Sequence, residues 1–199
     1  MIDNYLIFNY WLKHQFGGNK KKQWNTLQHN GVLFPPEYEP HGIPIIYKGE
    51  KIILNSKEEE IATFYAKYIE TEYVKNSKFK KNFWKDWKHN FSEKTKNVIQ
   101  SLDECDFTLI HNYLEQERIK KLDLSKEVKE SIKEKQREED KKYMIAIIDG
   151  KEQQVGNFRV EPPGLFMGRG CHPKMGKVKK RIYPEDITIN IGKESKIPK

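Results

Sequence analysis

The strongest chemical signal in this chain lies between residues 157 and 181. From Gly164 to Tyr183 there is no carboxylate. Six side chains in that stretch carry a permanent positive charge: Arg169, Lys174, Lys177, Lys179, Lys180 and Arg181. Four glycines allow close approach of the backbone to a ligand: Gly164, Gly168, Gly170 and Gly176. A high density of cations on a glycine-rich backbone favours a polyphosphate ligand. We expect that ligand to be a nucleic acid.

The sequence contains no self-sufficient catalytic motif. It has no Walker A loop, HExxH, CxxC or GxSxG pattern. Gly168-Arg-Gly170 is half of a dinucleotide fingerprint, and Pro173 blocks the helix that should follow it. The two cysteines, Cys105 and Cys171, have no metal-ligand spacing and favour a reducing intracellular compartment. An enzyme contained within these 199 residues alone is therefore not expected.

The composition points in the same direction as the motif. There are 37 basic and 29 acidic residues, giving a net charge of +8, which favours a polyanionic partner. Because 33% of the residues are charged, a merely solvated basic surface is the competing interpretation. The apolar-rich residues 1–12 are too short and too polar to span a bilayer. We expect them to form a short packed helix, with no signal peptide and no membrane segment.

Four helices are predicted in the first half of the chain. Three prolines in residues 34–40 preclude a helix there, and 43–47 and 51–54 flank a small hairpin turn. Ser56 and Glu59 fit a capping box for a first helix, and Ser77 is the expected cap of a second. A third helix is expected over 93–102 and a fourth after Asp106. The apolar residues at helical spacing are predicted to face inward: Ile61, Phe64, Tyr65, Tyr68 and Ile69, then Phe79, Phe83, Trp84 and Trp87, then Phe107, Ile110 and Leu114.

Residues 78–88 interleave aromatic and lysine side chains, which allows two interpretations. The aromatic rings could stack on nucleic-acid bases. The favoured interpretation is that the rings form core and the lysines Lys80, Lys81, Lys85 and Lys88 form the wet face of the helix.

The second half is predicted to change from helix to strand. Thirteen of the eighteen residues in 125–142 are charged, which predicts a helix that is polar all round and projects into solvent, with disorder as the alternative. Strands are expected over 144–148 and 154–160, joined at Asp149-Gly150, and alternation at Ile187, Ile189 and Ile191 predicts another. The predicted fold class is α+β, with a helical insert between sheet-forming parts.

Several of these motifs together resemble the eukaryotic nuclear DNA topoisomerase I family, type IB. The resemblance rests on Asn-Phe-Arg-Val-Glu-Pro-Pro-Gly-Leu-Phe at 157–166, Gly-Arg-Gly at 168–170 and His-Pro-Lys-Met-Gly at 172–176. It continues through residues 60–64, 81–87, 105–107, 125–127, 180–182 and 184–187, and covers nearly everything from Trp11 onward.

The resemblance implies that the chain is a fragment, the cap lobe of a clamp around duplex DNA. Residues 1–19 would be an N-terminal extension. Residues 38–123 would be a helical insert similar to core subdomain II. Residues 20–37 and 124–199 would form a mixed α/β-sheet subdomain similar to core subdomain I, incomplete at its C-terminus and carrying projecting charged helices.

The resemblance also implies the chemistry of the whole enzyme. Family members relax supercoiled DNA without ATP by transient single-strand breakage through a 3′-phosphotyrosyl intermediate. Their catalytic residues lie beyond the region matched here, so no catalytic residue is assigned in this chain, and the fragment alone is expected to be inactive. The expected cofactors are none, with neither ATP nor a metal required.

Residues can be carried over from the family only for binding. Arg169 matches an arginine that contacts DNA near the cleavage site, and Lys121 matches a position, usually arginine, that also touches DNA. His172 and Lys174 lie in the loop that meets the opposing jaw. From their charge, and not from the family, Lys177, Lys179, Lys180 and Arg181 are expected to contact the DNA backbone without reading sequence. The region that governs sensitivity to camptothecin-type poisons is matched by Asn157, Glu161, Phe166, Gly168 and Arg169. Met167 and Cys171 depart from the arginine and asparagine usual in animal members, which puts local DNA contacts and drug response in doubt.

The expected partners are duplex DNA and the remainder of the topoisomerase core and C-terminal domain, in cis or as a second chain, without a membrane. The expected location is the nucleus. The rival hypothesis is a self-contained nucleic-acid-binding module, for RNA or DNA, without enzymatic activity. It requires an aromatic stacking platform or a groove-reading helix, and neither is evident in the sequence.

Overall fold

A computed structural model describes residues 26–156, 158–168, 170 and 172–187. These residues combine helices with small antiparallel sheets, so the predicted α+β class is confirmed. They group into two compact units, each described by itself. The helical unit contains Pro36–Leu124 and Pro163–Arg181, and the sheet unit contains the described parts of Met1–Pro35, Ser125–Pro162 and Ile182–Lys199.

The helical unit is built around aromatic side chains. Its helices are α1 (Ser56–Ala66), α2 (Ser77–His89), α3 (Glu93–Val98) and α4 (Thr108–Leu122), with a 3₁₀ turn at Glu72–Lys75. Phe79, Phe83 and Trp87 of α2 are fully buried, and Tyr65 of α1 stacks on Phe83 with 4.2 Å between ring centroids. The interpretation as core is therefore confirmed for Phe79, Phe83 and Trp87, while Trp84 is half-buried against the same core.

The predicted helix starts are wrong by one residue. The capping box of α1 is formed by Asn55 and Glu58, because the Asn55 side chain accepts the Glu58 N–H at 3.0 Å and the Glu58 carboxylate accepts the Asn55 N–H at 3.1 Å. Likewise Asn76 caps α2 in place of Ser77. In both places an asparagine stands directly before a serine, and either residue type favours an N-cap. Helix α3 ends at Val98, because Ile99 is extended and fully buried.

The hairpin predicted after the proline-rich segment is confirmed. Strands β2 (Ile45–Tyr47) and β3 (Glu50–Ile52) pair antiparallel, and β4 (Cys105–Asp106) pairs with the other edge of β2. Lys48 and Gly49 make the two-residue turn with φ of 51° and 88°. Two positive φ angles in succession match the right-handed twist of a tight hairpin.

Two adjacent carboxylates of α1 are buried and accept hydrogen bonds from neighbouring segments of the chain. Glu58 is fully buried and accepts hydrogen bonds from the Ser92 N–H at 2.6 Å and the Thr95 hydroxyl at 2.9 Å, at the start of α3. Its backbone carbonyl accepts the Trp87 indole N–H at 3.0 Å. Glu59 accepts the backbone N–H groups of His41 at 2.8 Å and Gly42 at 3.0 Å. Each buried charge is thus surrounded by donors, which offsets the cost of removing it from water.

The sheet unit combines one three-stranded sheet with the charged helix. Strands β1 (Leu27–Gln28), β5 (Ile145–Ile148) and β6 (Lys151–Gln154) pair antiparallel in the order β1-β5-β6. Helix α5 (Lys126–Met144) leads directly into β5, begins at the Ser125 cap and has no buried residue. The prediction of an all-polar helix over 125–142 is confirmed, and the alternative of disorder is wrong.

The return strand of this sheet was misplaced by the sequence analysis. Asp149 and Gly150 make a two-residue turn with φ of 50° and 77°, so the partner strand must begin at Lys151 and not at residue 154. The segment after β6 contacts Leu33 through a parallel bridge to Arg159. The expected helix over 1–12 and the strand positions Ile189 and Ile191 lie outside the described residues.

Candidate nucleic-acid interface

The basic loop, defined as residues 164–181, is closed at its base by backbone pairing. Strands β7 (Gly164–Leu165) and β8 (Val178–Lys179) run antiparallel, with Leu165 opposite Val178. The Phe166 N–H donates to the Lys177 carbonyl at 2.8 Å, and the Gly176 N–H donates to the Phe166 carbonyl at 2.9 Å. Leu165 is 4% exposed and joins the core of the helical unit. The described residues at the base of the loop therefore form a paired hairpin.

Close contacts between Phe166, Gly168 and His172 shape the interior of the basic loop. The Phe166 and His172 rings lie with centroids 4.7 Å apart. A Cβ on Gly168 would lie 2.5 Å from the His172 Cβ, which no side chain can accept without a shift. His172 Nδ1 accepts the Lys174 N–H at 3.1 Å, and its carbonyl accepts the Met175 N–H at 3.1 Å. The structure thus brings together four of the predicted site residues: Phe166, Gly168, His172 and Lys174.

Helix α2 contacts residues 173–178 of the basic loop. The Asn82 side-chain amide donates to the carbonyls of Pro173 at 2.9 Å and Met175 at 2.7 Å. The Asp86 carboxylate accepts the Val178 N–H at 3.0 Å. Gly176 has φ of 79°, and a Cβ there would lie 2.3 Å from the Phe79 carbonyl oxygen. Met175, between these contacts, is 3% exposed. The loop is docked along one face of α2 by side chains and by close backbone approach.

Asn82 and Asp86 were not among the predicted site residues. Their partners are main-chain groups about ninety residues later, with separations of 91 to 93 residues. The available signal was their position beside Phe79 and Phe83 on the edge of the buried face of α2, where polar side chains are expected to find partners.

The cationic side chains of the loop differ in exposure and in protein partners. Lys174 and Lys177 are exposed, Lys179 is half-buried and Lys180 is exposed. Arg181 is 15% exposed and donates to the Glu60 carboxylate at 2.6 Å and the Pro36 carbonyl at 2.9 Å. Its guanidinium therefore already has protein partners, and its predicted contact with DNA stays a prediction.

The other predicted site residues lie elsewhere or outside the described residues. Lys121 is exposed in the last turn of α4, on a different helix from the one that holds the basic loop. Glu161 is half-buried in the sheet unit. Arg169, Asn157 and Cys171 are outside the described residues, so their predicted roles stay predictions.

Met167, where animal members usually have arginine, is half-buried against the core of the helical unit. In this chain, position 167 adds to the packing under the loop and not to its charge.

Two observations bear on thiol and metal chemistry in the described residues. Burial raises the pKa of the Cys105 thiol to about 12, so it is not a thiolate near neutrality. No group of three histidine, cysteine, aspartate or glutamate side chains within the described ranges lies close enough to hold a metal ion. In the same part of the chain, no helix is long and apolar enough to cross a bilayer.

One polar cluster of the helical unit surrounds the buried carboxylate of Glu59. The His41 side chain is 5% exposed, its Nε2 donates to the Thr63 hydroxyl at 2.9 Å, and its Nδ1 accepts the Ile43 N–H at 3.0 Å. The Tyr38 hydroxyl donates to Glu59 at 2.8 Å. Burial lowers the pKa of His41, although Glu59 with its negative charge opposes that shift. The imidazole is therefore neutral and acts as a structural donor and acceptor.

Comparison with known proteins gives a consistent family assignment. Residues 22–199 match the family described as eukaryotic DNA topoisomerase I, DNA binding fragment. The chain is 52% identical to DNA topoisomerase 1 beta of Arabidopsis thaliana over 181 residues, which is 91% of this chain and 20% of that protein. It is 46% identical to DNA topoisomerase 1 of Caenorhabditis elegans over 195 residues, 97% of this chain and 24% of that protein.

A third relative is named for a different compartment. The chain is 43% identical to the human mitochondrial DNA topoisomerase I over 188 residues, 94% of this chain and 31% of that protein. The chain thus spans between a fifth and a third of the length of the relatives it matches.

Proposed function

Because the chain belongs to the eukaryotic DNA topoisomerase I family, where it matches the DNA-binding fragment, we propose that it forms the duplex-binding cap of a type IB topoisomerase. The observation that carries this proposal is the docked basic loop, which presents Lys174 and Lys177 from a hairpin fixed at both ends. A backbone that is already held loses little conformational entropy on binding, so Lys174 and Lys177 are already placed for phosphate contact.

The mode of binding follows from the kind of side chain. Lysine ammonium groups are compact charges that contact phosphates without reading base edges. We therefore expect the chain to bind duplex DNA with little dependence on sequence and strong dependence on salt. Arg169 is our expected contact nearest the site of strand cleavage, and Lys121, Lys179, Lys180 and Arg181 are further expected backbone contacts.

The whole enzyme, on this proposal, relaxes supercoiled DNA by transient single-strand breakage through a 3′-phosphotyrosyl intermediate. The cleaving tyrosine and the groups that stabilise the pentavalent phosphate are supplied by sequence outside this chain, in cis or as a second chain. The family resemblance supports a reaction without ATP or a required metal, a nuclear location and a response to camptothecin-type poisons. The human relative named as mitochondrial makes the location a point for direct test by fluorescence tagging.

The decisive experiment compares the 199-residue chain alone with the chain joined to the remainder of a family enzyme. We expect no relaxation of supercoiled plasmid by the chain alone and full relaxation by the joined protein. Relaxation by the chain alone would show that a nucleophile lies within it and would overturn the assignment.

A binding assay on the same chain tests the DNA contact directly. Arg169→Ala should weaken duplex binding at low salt by roughly tenfold for every sequence tried, because a backbone contact is lost. Unchanged affinity counts against the basic loop as the contact. A preference for single-stranded RNA over duplex DNA in competition would favour the rival, a self-contained RNA-binding module.

A further inference from the structure

A row of lysines follows the exposed side of α2. Lys78, Lys81, Lys85 and Lys88 are spaced by three, four and three residues, and all four are exposed. Residues three or four apart are neighbours on a helix surface, so these side chains form one continuous row. From Lys78 to Lys85 the row spans roughly 10 Å of helix.

This row borders the face of α2 on which the basic loop is docked. Lys78 precedes Asn82 by four residues and Lys85 follows it by three, so they flank the amide that holds the loop. Asn82 binds the carbonyls on either side of Lys174. Lys177 immediately precedes Val178, whose N–H is held by Asp86, the residue after Lys85. The loop lysines and the helix lysines therefore meet along one edge.

Lysines elsewhere in the helical unit pair with acidic residues, whereas the Asp86 carboxylate on this edge accepts the Val178 N–H. Lys75 pairs with Glu72 at 2.6 Å, Lys80 with Asp103 at 2.7 Å and Lys96 with Glu93 at 2.6 Å. Within the described part of the chain, four side chains along the edge pair with no carboxylate: Lys81, Lys85, Lys174 and Lys177. Uncompensated like charges at this spacing repel one another unless a polyanion binds across them.

We propose that Lys78, Lys81 and Lys85 of α2, which lie beside the loop lysines Lys174 and Lys177, form a second part of the DNA interface, here called the α2 ridge. It binds the phosphate backbone of duplex DNA next to the stretch contacted by the basic loop. This inference rests on the proposed function and deepens it, because it extends the binding surface from the loop to a helix. Duplex DNA fits the ridge because it presents a continuous line of phosphates, about one charge per 1.7 Å of axis.

The test neutralises the ridge without touching the loop. In the 199-residue chain, Lys81→Gln with Lys85→Gln is compared with Lys51→Gln and Lys94→Gln, two exposed lysines on β3 and α3 that remove the same total charge. Binding to a short labelled duplex is measured by fluorescence anisotropy over a salt series. Circular dichroism of each variant should show an unchanged helix content, since all four positions are exposed.

The ridge variant should bind roughly tenfold more weakly at low salt, and its slope of log affinity against log salt should fall by about two, because each phosphate contact contributes about 0.9. The control variant should change affinity by less than about twofold, since it loses net charge but no contact.

The outcomes separate this inference from the proposed function. If the wild-type chain binds duplex DNA and Arg169→Ala weakens it, but the ridge variant matches the control, the α2 ridge is overturned and the cap function stands. If the wild-type chain does not bind duplex DNA at low salt, both are overturned. If the ridge variant loses only binding to single-stranded RNA, or only binding to an acidic protein, the ridge as a duplex surface is also overturned.

Discussion

Gly176 shows at the level of a single residue how the basic loop is fixed. Its positive φ and its approach to the Phe79 carbonyl leave no space for a methyl group. Backbone proximity of this kind is rigid, because neither the helix nor the loop has a flexible side chain that can move aside. The contact between Gly176 and α2 therefore fixes the part of the loop backbone that carries Lys174 and Lys177.

We predict that Gly176→Ala destabilises the chain by roughly 2 kcal/mol or more, because both left-handed strain and a backbone clash oppose it. Gly164→Ala is the matched control, since a Cβ there has nothing within 4 Å. Urea unfolding of the two variants gives the comparison. Equal stabilities would contradict the tight approach of the loop to α2.

His41 gives a prediction about pH. Burial sets its pKa in the folded state below the unfolded value of about 6.5, so the unfolded chain binds more protons between those two values. Stability from this group is therefore complete above about pH 6.5 and is lost as the pH falls through that window. His41→Asn should flatten the dependence of unfolding free energy on pH between about 7 and 5.

The control for that experiment is His89→Asn, because His89 is exposed at the end of α2. We expect this variant to keep the pH dependence of the wild type. A flat profile in the wild-type chain would show that the imidazole of His41 is not shielded from water.

At the scale of elements, Glu58 joins three helices of the helical unit. It belongs to the capping box of α1, accepts two hydrogen bonds from the start of α3, and through its carbonyl receives the indole of α2. A buried carboxylate with charge-assisted hydrogen bonds contributes more than a surface charge. The arrangement of these helices therefore depends on an acidic residue inside an aromatic core.

Glu58→Gln should lower the free energy of unfolding by about 2–4 kcal/mol, since one accepting oxygen becomes an NH2 donor that faces either the Ser92 N–H or the donors of Asn55 and Thr95. Glu93→Gln removes only an exposed pair with Lys96 and should cost less than about 1 kcal/mol. Thermal unfolding followed by circular dichroism distinguishes the two. A loss of similar size in both variants would mean that Glu58 is solvated.

Sequence periodicity predicted most helices because it reports which face of each helix is apolar. The inward positions Phe79, Phe83 and Trp87 were identified this way. Local spacing could not place the caps, because Asn55 and Asn76 each stand beside an equally competent serine. The start of β6 is fixed by the turn at Asp149-Gly150. The polar residues Lys151–Gln154 carry no strand pattern of their own, so the strand was predicted to begin too late.

The positive charge of the candidate site could be predicted from the sequence, but the side chains that hold the loop in place could not. Lys174 and the glycines of the basic loop were evident from the composition of one segment. Asn82 and Asp86 bind main-chain groups far along the chain, and no local pattern encodes such pairing. The same holds for Arg181, whose partner Glu60 lies 121 residues earlier.

For the whole molecule, the two units differ in how much they bury. The helical unit contains a contiguous cluster of aromatic and aliphatic side chains, whereas Ala146 is the buried hydrophobic residue of the described sheet unit. Helix α5 has no buried residue and is rich in lysine. Segments with few buried contacts open at low free-energy cost.

Limited digestion with trypsin should therefore cut within α5 before it cuts within Pro36–Leu124. Mass spectrometry of the early fragments identifies the sites. Early cleavage at lysines of α2 would contradict the stability that we assign to the helical unit. Addition of duplex DNA provides a further comparison, because the proposed interface includes α2 and should become still slower to cut.

Exchange of the Trp87 indole proton would measure how often the helical unit opens. The ring is completely shielded, and its N–H is donated to the Glu58 carbonyl inside the core. Exchange of that proton with deuterium from the solvent requires the three joined helices to separate. A single late-exchanging indole resonance would thus report the lifetime of the closed helical unit, with and without DNA, from one atom.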